Sequence, residues 1–91
     1  MEENNNWKIF VLMLREIAKA KGIEQLHIQD KTGIPQANIS KIFNLKVTPR
    51  IDTFMNLAEA VGIKFFIEDN TEETNMDLVY KNAMAKFKEL K

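Results

Sequence analysis

The sequence contains no cysteine and only one histidine, His27. Without cysteine the chain has no disulfide framework, no thiolate nucleophile and no cysteine-rich zinc site. A single histidine cannot build a histidine metal site, and no nucleophile with its base, no phosphate loop and no cofactor motif can be assembled from the rest. We therefore expect a protein that acts by binding and not an enzyme, with no metal and no cofactor.

Long apolar runs are also missing. The longest uninterrupted one, at residues 9–14, is far shorter than the roughly 20 residues that cross a bilayer. Residues 1–6 are polar and acidic, unlike a secretory signal. We therefore expect a cytoplasmic protein with no membrane partner.

The chain carries no net charge, because 13 basic residues balance 13 acidic ones. The charges are unevenly distributed, however: residues 7–50 hold eight basic residues against three acidic ones. A local excess of positive charge is typical of a surface that meets an acidic partner such as nucleic acid. The length of 91 residues is enough for one small domain with its own core.

Four helices are predicted in the first 62 residues. Apolar residues recur at a spacing of three or four, which places them on one face of each helix. Gly22, Gly33 and Gly62 follow three of these segments, and glycine accepts the left-handed backbone that ends helices. The predicted helices span residues 7–21, 24–32, 36–44 and 51–61.

The hydrophobic period changes after Gly62. Apolar and aromatic residues then follow the alternation of one short strand. A lone strand needs a partner for its backbone groups, so we expect this segment to pair with the same segment of a second chain. The predicted dimer interface consists of Ile63, Phe65, Phe66 and Ile67.

A last helix is predicted over residues 74–91, where Thr74 and Asp77 resemble a capping box. Its apolar stripe consists of Met76, Val79, Tyr80, Ala83, Phe87 and Leu90. The fold class predicted overall is mainly α, with a helical domain at 7–62 and a strand plus helix at 63–91. This second part would serve dimerisation or the binding of a partner.

Residues 24–44 have the features of a helix-turn-helix. Two short helices meet at Gly33, and the second has an apolar rear and a polar, mostly uncharged front that could hydrogen-bond to base edges. In order and spacing these residues and their neighbours resemble the XRE/Cro-cI family of DNA-binding domains, whose phage repressors share this helical bundle. The segments that carry the resemblance are GIEQ at 22–25, KTGIPQANISKI at 31–42 and LAEAVGI at 57–63.

The resemblance implies DNA contacts at particular positions. Gln36, Ala37 and Lys41 match the exposed positions of the recognition helix and are expected to read bases. Glutamine can pair with adenine, lysine can reach guanine, and alanine can meet a thymine methyl group. The residues expected to contact phosphates or the minor groove are Gln25, Asn38, Ser40, Asn44, Lys46 and Arg50.

The chain also departs from the family pattern. Glu24, Pro35 and Arg50 stand where the family has serine or threonine as helix caps. Gln29 replaces a small alanine between the two motif helices, and Leu45 replaces a glycine after the recognition helix. We expect these changes to alter the helix crossing and the loop, while the motif itself remains.

Two functions stay open at this point. The motif and the lone strand favour a homodimeric, sequence-specific DNA-binding transcriptional regulator, repressor-like, that reads a palindromic operator in double-stranded DNA. The last helix, which lies beyond the family core, favours an antitoxin-like module whose C-terminal segment engages a toxin-like partner protein.

Overall fold

The computed structural model describes residues 5–65 and 70–90. The mainly α class is confirmed, and every predicted helix is present with its ends within two residues of the expected positions. None of the helices in the described ranges combines the length and the hydropathy that a bilayer crossing requires. The helices are α1 (Asn6–Ala20), α2 (Gln25–Thr32), α3 (Gln36–Phe43), α4 (Ile51–Val61) and α5 (Met76–Glu89).

The first four helices share one apolar core. α1 and α2 each pack on both α3 and α4. The turn at Gly33 connects α2 to α3. Ile28 is the single buried residue of α2, yet it is fully excluded from solvent, as are Ile39 of α3 and Leu57 of α4. Each such side chain contributes about 1.5–3 kcal/mol through burial. The inner face of the helix-turn-helix is thereby fixed on the bundle.

The prediction of a short strand after α4 is wrong for residues 63–65, the part of this segment that the structure describes. Gly62 has a φ of 87°, and the N–H of Ile63 donates to the carbonyl of Ala58 at 2.9 Å. This is the bond of a Schellman helix end, and it uses the first donor that a strand ladder would have needed. Residues 63–65 are irregular.

Phe65 packs back on the helical domain. Its ring centroid lies 5.5 Å from that of Phe54 in α4, although Phe65 remains 42% exposed. Phe66 and Ile67, which complete the predicted dimer interface, lie outside the described residues. Strand pairing therefore no longer supports the homodimer, which stays a prediction.

One basic side chain of α1 and one at its C-cap bind the carboxyl ends of other helices. Arg15 Nη1 donates to the carbonyl oxygen of Phe43 at 3.1 Å, and Lys21 Nζ donates to that of Val61 at 2.8 Å. The last carbonyl groups of a helix receive no hydrogen bond from within that helix, so they need donors from elsewhere. A cation at this position also stabilises the negative end of the helix dipole. α1 therefore ties down α3 and α4 by polar contacts as well as by its core face.

Replacing Lys21 by methionine should lower the free energy of unfolding by about 1 kcal/mol, because a charge-assisted bond to the end of α4 is lost. Urea unfolding followed by circular dichroism measures the change. Lys19→Met removes the same charge from the same turn without such a bond, and it should cost less than about 0.5 kcal/mol. Equal losses for both variants would contradict a specific role for Lys21.

α5 stands apart from the bundle. Among the described residues it packs on none of the other four helices. Its N-cap is Asn75, whose Oδ1 accepts the N–H of Leu78 at 3.1 Å, so the capping box expected at Thr74 is wrong by one residue. No residue of α5 is fully buried.

Candidate nucleic-acid interface

α3, the predicted recognition helix, has the two faces that the sequence predicts. Its rear residues Ile39, Ile42 and Phe43 are all buried in the core. The opposite side carries Ala37, Ser40, Lys41 and Asn44, of which Ser40 is half-buried and the other three are exposed. Asn44 Nδ2 donates to Ser40 Oγ at 3.3 Å, which places these two side chains on the same face. Four of the predicted contact residues therefore lie together on one accessible surface.

Gln36 and Gln25 meet at the edge of this surface. Gln36 Nε2 donates to Gln25 Oε1 at 2.5 Å, and both side chains are half-buried. The bond fixes the side-chain amide of Gln36, whose carbonyl oxygen and second N–H can still pair with the N6 and N7 atoms of adenine. Gln25, expected to contact a phosphate, thus also orients the residue expected to read a base.

Gln29 is a contact that sequence reasoning missed. Its Oε1 accepts the backbone N–H of Gln36 at 2.7 Å, so α2 caps the start of α3. Pro35, which stands where the XRE/Cro-cI family has a capping hydroxyl, makes no side-chain cap. The sequence signal for this contact is the combination of two departures from the XRE/Cro-cI pattern, the glutamine at 29 and the proline at 35.

Depressions border α3 on both flanks. On the side of Gln36 lies an open cleft of about 700 Å³, to which Lys19 and Gln25 contribute. On the side of Asn38 lies a groove of about 440 Å³, to which Thr48 and Arg50 contribute. A helix in the major groove has one phosphate backbone on each side, and each depression has in its lining a basic side chain that could face a phosphate, Lys19 on one flank and Arg50 on the other.

The loop after α3 is set by Leu45. Its φ is 61°, and the N–H of Lys46 donates to the carbonyl of Lys41 at 2.9 Å, so Leu45 takes the left-handed position that the family gives to glycine. Leu45 also packs against the core, which offsets the backbone strain. Lys46 is exposed beside the end of α3, as a phosphate contact requires.

Arg50 lies at the start of α4 with its side chain 85% exposed. Its Nε is 3.5 Å from Asp52 Oδ1, and an ion pair this exposed is weak enough to exchange for a DNA contact. Across residues 5–65 and 70–90, no three histidine or acidic side chains come together as metal ligands.

Residues 1–69 match a family described as probable addiction module antidote protein. The match includes all of α1–α4 and ends before α5. No curated protein and no solved structure matches the chain. The description of this family does not mention the XRE/Cro-cI type, so that finer resemblance stays a prediction. Because the matched segment is well over half of the sequence, the chain belongs to the probable addiction module antidote protein family.

Proposed function

We propose that the chain is the antidote of an addiction module and that it neutralises a toxin protein by binding it. Family membership supports this role, and the observation that carries it is the apolar stripe of α5. Val79, Tyr80 and Leu90 are 43%, 67% and 84% exposed on one side of a helix that packs on none of α1–α4. An amphipathic helix presented in this way fits an apolar groove on a partner.

The rest of α5 agrees with such a partner site. Asp77, Lys81 and Lys88 lie off the apolar stripe, as the polar rim of an interface would. α5 also follows the segment that matches the family, so toxin binding and the four-helix bundle occupy different parts of the chain. We propose that residues 63–91 form this partner extension and that the chain acts by binding and not by catalysis.

The test is to isolate the tagged chain from its native cells and to identify any partner present in equal amount. Expression of that partner alone should arrest growth, and co-expression of the antidote should restore it. Two results would contradict the proposal: the absence of a stoichiometric partner, or a partner that does not affect growth.

We propose a second activity for the same chain, the binding of operator DNA through α2 and α3. It is supported by the exposed polar face of α3, with Lys41 and Lys46 at its end and depressions on both flanks. A repressor-like antidote of this kind would bind as a homodimer to two half-sites about one helical turn, roughly 34 Å, apart. Selection from a random duplex library, with the solution mass measured on the same sample, tests both statements.

Gln36→Ala and Lys41→Ala should each lower the binding free energy by about 1 to 3 kcal/mol, and the loss should disappear when one particular base pair is changed. Lys46→Ala should weaken binding to all duplexes alike, because a phosphate contact carries no sequence information. Competition binding with single-base-pair variants of the selected site measures these effects. If Gln36→Ala and Lys41→Ala lost affinity equally on every duplex, neither residue would be a base reader.

A further inference from the structure

The start of the recognition helix has no cap of its own. Pro35 precedes α3 with φ −57° and ψ 139°, and its side chain offers no acceptor. The first N–H groups of a helix must find acceptors outside the regular helical bonds. In α3 the N–H of Asn38 donates to the carbonyl of Pro35 at 2.9 Å, whereas the N–H of Gln36 donates to Gln29 Oε1 at 2.7 Å.

The side chain that supplies this cap is itself held in place. Gln29 is half-buried near the end of α2, next to the fully buried Ile28. The turn that follows is fixed by Thr32, whose Oγ1 donates to the carbonyl of Ile28 at 2.8 Å and accepts the N–H of Ile34 at 3.1 Å. The cap therefore comes from a residue within α2, which the bonds of Thr32 join to a fixed turn, and not from a loop.

α2 consequently binds Gln36 twice, once through its backbone and once through its side chain. The backbone N–H of Gln36 is bonded to Gln29, and its side-chain amide is bonded to Gln25. The side-chain bond sets the direction of the amide group. The backbone bond sets where the first turn of α3 lies relative to α2, and hence where the amide group is placed in the groove.

We propose that Gln29 is a positioning residue for base recognition. It supplies a side-chain acceptor to the N–H of Gln36 at a helix start where residue 35 supplies none, and it fixes the first turn of α3 where Gln36 meets its base. The glutamine at 29 and the proline at 35 then belong together, because the side-chain acceptor at the start of α3 comes from α2 and not from residue 35. This inference rests on the proposed DNA binding. Groups that recognise a base must be held within about 0.5 Å of the productive geometry. Loss of the backbone bond at the first residue of α3 could displace the first turn by a comparable distance.

The decisive variants differ at the acceptor alone. Gln29→Met keeps the length of the side chain and removes its oxygen, whereas Gln29→Glu keeps an oxygen at that position. At the base pair identified with Gln36→Ala, Gln29→Met should reduce discrimination between bases by about fivefold or more. Gln29→Glu should weaken binding to all DNA, because it adds a negative charge, yet it should keep the discrimination of the wild type.

A rescue variant separates positioning from a general loss of stability. Adding Pro35→Ser to Gln29→Met supplies a hydroxyl at the N-cap, where the ψ of residue 35 is 139° and so outside the helical range. This hydroxyl would accept the N–H of Ala37 or Asn38 and hold the first turn of α3 without Gln29. Discrimination should return with it. Circular dichroism checks that each variant is folded, and the comparison of Gln29→Glu with wild type holds even if Gln29→Met does not fold.

Hydrogen exchange at the backbone N–H of Gln36 tests its bond to Gln29 without DNA. It should be slow in the wild type and in Gln29→Glu, and at least tenfold faster in Gln29→Met. Unchanged exchange in Gln29→Met would overturn the cap itself. If Gln29→Met lost affinity equally on all duplexes and kept its discrimination between bases, the positioning role would be overturned. If exchange behaved as expected while the wild type preferred no duplex, the DNA-binding function would fall, and the role of Gln29 in specificity with it.

Discussion

Replacing Ile39 by alanine should lower the free energy of unfolding by about 2 to 5 kcal/mol. Ile39 is fully buried on the rear of α3, so the substitution removes apolar contacts and leaves a cavity beneath this helix. Small domains have a total stability of about 5–15 kcal/mol, so this loss is a large share of it. Urea unfolding followed by circular dichroism measures the change, and DNA binding should weaken in proportion to the unfolded fraction.

The matched control is Ile51→Ala, the same substitution at the first residue of α4. Ile51 is 81% exposed, so its truncation should alter the free energy of unfolding by no more than about 0.5 kcal/mol. Comparable losses at both positions would mean that α3 is not seated on the core as described.

Tyr80→Ala should weaken toxin binding by about 30-fold or more. Tyr80 is the more exposed of the two large aromatic residues of the α5 stripe, and aromatic residues that become buried in an interface can contribute about 2 kcal/mol or more. Titration calorimetry with the purified toxin measures the change. The melting temperature of the free antidote should stay the same, because α5 packs on none of α1–α4 within the described residues.

Leu78→Ala is the control for this prediction. Leu78 is also apolar and 53% exposed, but it lies two residues from Tyr80 and therefore on the other side of the helix. Its truncation should leave toxin affinity within about twofold of the wild type, an effect of less than 0.5 kcal/mol. An equal loss at Leu78 would show that α5 does not bind by its stripe, and undiminished binding by Tyr80→Ala would remove α5 from the interface.

The five helices could be predicted from the sequence because their apolar spacing is local and regular. The strand could not be judged in the same way, since alternation over a few residues does not distinguish a ladder from an irregular segment. In this chain the difference is made by Gly62 and Ile63, which complete the end of α4. A helix-ending glycine followed directly by an apolar residue is a pattern to weigh against a strand that begins at the next residue.

The face of α3 was also predictable, whereas the contacts that hold it were not. Arg15 caps a carbonyl 28 residues away, and Lys21 caps one 40 residues away. The contact of Gln29 with Gln36 depends on how two helices cross, and no one-dimensional period describes that crossing. Sequence therefore indicates which residues could touch DNA more readily than which residues hold them in position.

The caps made by Arg15 and Lys21 have a consequence for DNA affinity at physiological ionic strength. Both cations are directed at carbonyl oxygens within the fold, so six of the eight basic residues in 7–50 remain to displace counterions from DNA. Each neutralised phosphate contributes about −0.9 to the slope of log K against log salt, so these six residues would contribute a slope of about −5 per protomer. Binding to arbitrary DNA should therefore be modest, and occupancy of the operator would depend mainly on the base contacts of α3.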